Sequence, residues 1–134
     1  MHLRNVALFF AIVALGLTSC SQRVGTWEIS IWDESGSLLG SLEISVKPDP
    51  HEDGRTFIGK IVSISGLAEY PIGKEAELRV GSETFRADLN PGYHDNNTYL
   101  EGSISGTLAK GKVTLARGPM GHPVGTFTAT FAGG

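Results

Sequence analysis

One cysteine in 134 residues leaves nothing for an internal disulfide framework or a multi-cysteine zinc site. Charge is scarce as well. Only 19% of residues are charged, and 11 Lys+Arg face 14 Asp+Glu for a formal net charge of −3. That balance lacks the basic footprint of a nucleic-acid binder, so no nucleic-acid partner is expected. Helical periodicity is missing: the best candidate stretch, 66–77, is broken by Pro71 and Gly73. No serine stands in a nucleophile elbow, because Gly102-Ser103-Ile104-Ser105-Gly106 falls within a strand pattern rather than at a strand-to-helix turn. The 18 glycines are dispersed, and none opens a phosphate-cradling helix. The chain is too short for a second self-supporting core. No catalytic residues, no cofactor and no enzyme activity are expected.

What is present begins with an N-terminal address. His2 and Arg4 form a short basic region, followed by the apolar run Val6 to Leu17. Twelve residues make roughly 18 Å of helix, short of a ~30 Å hydrocarbon core, so a signal peptide is the better reading than a membrane span. The run ends in Leu17-Thr18-Ser19-Cys20, which resembles the lipobox of bacterial lipoproteins. The resemblance implies that residues 1–19 are cleaved and that the Cys20 thiol is diacylated, so a palmitate-type label would be carried there. Two or three acyl chains anchor stably where one is marginal. The expected organisation is a signal peptide over 1–19, a lipidated Cys20 with a tether over 20–23, and one domain over 24–134. Without Arg4, 10 Lys+Arg remain against 14 Asp+Glu, a charge of −4, so lipid rather than electrostatics would hold the domain at a membrane. The resemblance places the protein in a bacterial cell envelope. Ser21 is not the Asp that retains such proteins in the inner membrane, which implies the outer membrane, facing the periplasm, in a Gram-negative source.

Strand signals fill the rest. Trp27, Ile29 and Ile31 alternate with polar neighbours, as do Leu42, Ile44 and Val46, then Ala76, Leu78 and Val80. Further strands are expected over 55–65, 84–89, 99–109, 112–117 and 126–131, with turns at 34–37, Gly81-Ser82 and Lys110-Gly111. The fold class is therefore all-β: a small antiparallel up-and-down β-barrel, or a sandwich, of about eight strands. Closure would remove two exposed edges, which favours the barrel. Trp27, Phe57, Phe85, Phe127 and Phe131 are the expected interior aromatics, with Trp32 and Tyr70 near the rim.

Gly25-Thr26-Trp27 opens the first strand and resembles the Gly-x-Trp of lipocalins and the Gly-Thr-Trp of avidin-like proteins, both eight-stranded meander barrels. That resemblance covers three residues. It implies the fold and carries no ligand.

In a meander, successive connections alternate between the two ends. Connections at 33–36, 65–74, 90–97 and 118–123 should therefore lie away from the anchor, and those at 48–54, 81–82 and 110–111 beside it. The richest candidate is Asn90-Pro91-Gly92-Tyr93-His94-Asp95-Asn96-Asn97. Tyr93, His94, Asp95 and Asn96, with His122 from the last distal connection, are the candidate binding residues. His94, Asp95 and His122 have the chemistry of a divalent-metal site, but these loops are also rich in ordinary turn formers, and no metal is expected. His51-Glu52-Asp53 falls at the opposite end and cannot join them. The leading expectation is a non-enzymatic, lipid-anchored protein that binds a protein or envelope partner through distal loops. The alternative is a lipocalin-like carrier, and a metal-binding periplasmic protein is more remote.

Overall fold

The computed structural model describes residues 24–50 and 54–133. The expected signal peptide over 1–19, Cys20, the expected tether and His51–Asp53 lie outside the described residues. Eight strands run in chain order: β1 (Gly25–Asp33), β2 (Leu38–Pro48), β3 (Thr56–Ser65), β4 (Glu75–Val80), β5 (Thr84–Asp88), β6 (Asn96–Ser105), β7 (Leu108–Arg117) and β8 (Met120–Gly133). Each pairs antiparallel with the next, and β1 pairs with β8 from Gly25↔Gly133 to Asp33↔Gly125, so the sheet closes into a barrel. Closure decides between barrel and sandwich. No helix occurs among the described residues.

The period-two pattern sends one side chain in every two inward. Trp27, Ile29 and Ile31 of β1 face Leu42, Ile44 and Val46 of β2, and these join Phe57, Leu78, Phe85, Leu100, Val113 and Phe127 in one buried cluster. Trp27 packs on Phe85 and Phe131 with ring centroids 5.0 and 5.1 Å apart, and Phe85 meets Phe127 at 5.6 Å. All three contacts lie in the distance range of favourable aromatic pairs. Trp32 is half-buried, and Tyr70 packs part-buried against the core.

Alternating strand direction puts Val24 and Gly133 at one end, here called proximal. The connections after β1, β3, β5 and β7 lie at the other, distal end, as the parity requires. Two connections after β6 differ from the sequence reading. Lys110-Gly111 is not a turn but part of β7. The chain reverses at Gly106-Thr107, with Ser105 paired to Leu108. A positive φ of 61° at Gly106 suits the first central position of a hairpin turn whose twist matches the strands. Gly111 is needed elsewhere. It pairs with Gly102, where a Cβ on either residue would strike the opposing backbone. The supposed loop 118–123 also shrinks: Arg117 pairs with Met120, so only Gly118-Pro119 turns, and His122 lies in β8 opposite Leu115. Pro123 is accommodated because the register shifts between Val113 and Thr114, a bulge that tolerates its missing N–H.

The connection after β3 stays a long loop and folds over the barrel mouth. Gly66, at φ 78°, turns the chain back, and its position against the Leu39 carbonyl leaves no room for a Cβ. Leu67 then enters the core at 2% exposure, with Ile72 partly buried beside it.

Candidate functional site

Tyr93, His94, Asp95 and Asn96 fall where β5 hands over to β6, and all four are exposed. The segment is a pair of nested turns. Tyr93 N–H donates to the Asn90 carbonyl at 3.2 Å, and Asn90 Nδ2 donates to the Asn96 carbonyl at 2.8 Å. Asn96 and Asn97 belong to β6 rather than to the loop. Across the rim, Gly118 N–H donates to the Asp95 carbonyl at 2.8 Å. The β5–β6 and β7–β8 turns are thus joined into one distal ridge. Its large apolar groups are Tyr93, 62% exposed, and Met120, 66% exposed.

His122 is not gathered with His94 and Asp95. It pairs with Leu115, which pairs with Thr98 on β6, so two strand spacings of about 10 Å separate it from Thr98 alone. His94 lies four residues beyond Thr98. Among the described residues, no group of three or more His, Cys, Asp or Glu is placed to hold a metal ion. The two candidate segments share a ridge, but their imidazoles do not share a site.

Behind the ridge stands a polar node that sequence reading missed. Asn97 is fully buried; its Nδ2 donates to Asp88 Oδ1 at 2.7 Å and to the Asn90 carbonyl at 3.1 Å. Its Oδ1 accepts from Thr98 N–H at 2.7 Å, while Asp88 Oδ1 also accepts from Asn90 N–H at 3.0 Å. Thr98, equally buried, donates from Oγ1 to the Pro71 carbonyl at 3.1 Å. Arg117 Nη2 donates to the Glu69 carbonyl at 2.6 Å. The bonds from Thr98 and Arg117 fasten β6 and β7, next to the ridge, to the plugging loop. The only signal in the sequence was two polar residues, Asn97 and Thr98, entering a strand.

The first hairpin has its own anchor. Asp33 Oδ1 accepts from Ser35 N–H at 2.9 Å, Ser35 Oγ at 2.7 Å and Ser37 N–H at 2.9 Å. The Ser35 hydroxyl above all, aided by backbone N–H groups, holds the Asp33 carboxyl below its ordinary value of 3.8. Inside the barrel, Trp27 Nε1 is buried without an acceptor among the described residues. The chain matches no known protein family, no curated protein and no solved structure.

Proposed function

We propose that this is a non-enzymatic, lipid-anchored protein of the bacterial envelope that docks a protein partner on the distal ridge of its barrel. The hydrogen bond from Gly118 N–H to the Asp95 carbonyl carries the reading. It joins two turns into one surface on which Tyr93 and Met120 are both exposed, at separate points, backed by the Asn97 node. A ridge with exposed aromatic and thioether groups suits protein recognition, where such residues supply most of the binding energy. The anchor reading rests on Leu17-Thr18-Ser19-Cys20, and the proximal end, where the chain enters at Val24, would then face the lipid. An outer-membrane position facing the periplasm remains part of this proposal for a Gram-negative source.

The test is crosslinking in intact cells through a photoreactive residue at position 93 or 120, with position 30 on β1 as control. A single adduct from 93 and 120, absent from 30 and lost in a doubly substituted Tyr93→Ser, Met120→Ser chain, is expected. Equal labelling at all three positions would defeat the proposal.

A second reading, a lipocalin-like carrier, is favoured by one observation: the buried, unpartnered Trp27 Nε1 is a donor inside the barrel. The Trp27, Phe85, Phe127 and Phe131 rings already pack on one another there. A carrier would have to open them, so apolar ligands should shift Trp27 fluorescence if this reading holds.

A further inference from the structure

On the outer face of β4 and β5, like charges stand directly opposite one another. Arg79 pairs with Arg86, and Glu77 pairs with Asp88. Opposed like charges destabilise a ladder, and here they occupy two successive rows on one face. The four side chains line a groove of about 250 Å³. Arg86 instead pairs with Glu101 on β6, at 3.5 Å.

Each of the two β5 charges has partners outside the groove. Asp88 Oδ1 is occupied by Asn97 Nδ2 and Asn90 N–H, which orients the carboxylate and leaves its other oxygen available. Arg86 is drawn sideways by Glu101 and by the Tyr99 ring, whose centroid lies 5.6 Å from the guanidinium carbon. On β4, Glu77 and Arg79 are exposed, with no such restraint among the described residues. The groove therefore has a fixed half and an adaptable half. Its cationic row is separated from its anionic row by two residues, about 6.7 Å along the strand.

We infer that this groove binds a phosphate–ammonium zwitterion of the phosphoethanolamine type. Arg79 offers its forked donors to a tetrahedral phosphate, Arg86 adds a second guanidinium by exchanging its exposed pair with Glu101, and two carboxylates accept from a primary ammonium a short linker away. A lone anion would meet the carboxylates and a lone cation the guanidiniums, so each half-ligand is disfavoured where the whole is matched. The rows also have a direction. Arg79 and Arg86 lie toward the proximal end, Glu77 and Asp88 toward the distal end. If the barrel is anchored as proposed above, the phosphate row lies nearer the lipid, which is the order of phosphate and ammonium in a phosphatidylethanolamine headgroup. The chemistry is shared by that headgroup and by a free phosphate ester.

Titration of the full chain in nonionic detergent with O-phosphoethanolamine, followed by amide and arginine side-chain NMR, is the test. Saturable shifts confined to 77–79 and 86–88 are expected, with inorganic phosphate and ethanolamine each binding about tenfold more weakly. Arg79→Gln and Glu77→Gln should each weaken binding about tenfold, while Arg79→Lys keeps part of it. Absence of saturation, or phosphate binding as tightly as phosphoethanolamine with Glu77→Gln silent, overturns the inference. Moving the chain from phosphatidylcholine to phosphatidylethanolamine nanodiscs then identifies the source: the same shifts mean a headgroup, and their absence a soluble ester. The free-probe titration does not depend on Cys20, so a chain shown to be unlipidated would sink the anchor reading and leave this site standing.

Discussion

At the scale of single residues, Asn97 is the position where the most depends on one side chain. It satisfies Thr98 N–H, the Asn90 carbonyl and Asp88 at once, and it does so with no exposure. Asn97→Ala would strand those groups, and a loss of about 2–3 kcal/mol is expected from urea denaturation, because buried groups left unpaired cost their full desolvation. The β5–β6 turn should also lose hydrogen-exchange protection. Asp33 shows a different dependence. Its carboxyl is held low by the hydrogen bonds of the first hairpin turn. A depressed folded value means stability that is present above the ordinary 3.8 and lost as pH falls through the lower folded value. Carboxyl NMR titration should find Asp33 below the ordinary Asp range, and Ser35→Ala should move it back up. An unchanged midpoint in Ser35→Ala would refute the assigned cause. Asp33 was readable as a turn residue from Asp33-Glu34-Ser35-Gly36. The role of Asn97 was not, because Asp88 and Asn90 come near it only once β5 and β6 pair.

At the scale of elements, the β6–β7 hairpin shows what pairing demands beyond hydropathy. Either Lys110-Gly111 or Gly106-Thr107 is an acceptable turn by composition. The structure uses the second, because Gly102 and Gly111 must face each other where the backbones approach too closely for a Cβ. Gly102→Ala should therefore cost about 3 kcal/mol, in the range of overpacking a tight contact. Gly92→Ala meets nothing within 4 Å and is strained only by its φ of 90°. The β3–β4 loop, expected as a long distal connection, is one, and it also plugs the barrel mouth with Leu67. Leu67→Ala is expected to cost about 2–5 kcal/mol and to loosen the distal mouth, seen as faster exchange at 67–73. Apolar letters at 67, 70 and 72 hinted at burial. Their cover over the barrel mouth required the left-handed turn at Gly66.

For the whole molecule, the proposed anchor and the barrel are independent units, so breaking one should spare the other. In Cys20→Ser the acceptor thiol is gone, lipid attachment fails, and the uncleaved chain should run larger on a gel without palmitate label. The barrel should still fold, because its described strands begin at Gly25 and use no cysteine. A labelled product of mature size from Cys20→Ser would refute the lipobox reading. What the sequence alone determined was everything carried by local period and local chemistry. Strand-like alternation and the inward set Trp27, Phe57, Phe85, Phe127 and Phe131 follow from a two-residue repeat, and the alternation of connections between two ends follows from short links that reverse each strand. Tertiary structure decided what depends on register. Closure needed β1 to meet β8 along nine pairs from Gly25↔Gly133 to Asp33↔Gly125. The joined distal ridge needed Asp95 beside Gly118, and the charged groove needed Arg79 opposite Arg86. Each is a contact between strands or turns whose partners the chain does not announce, because a one-residue slip would exchange the faces of every strand it touched.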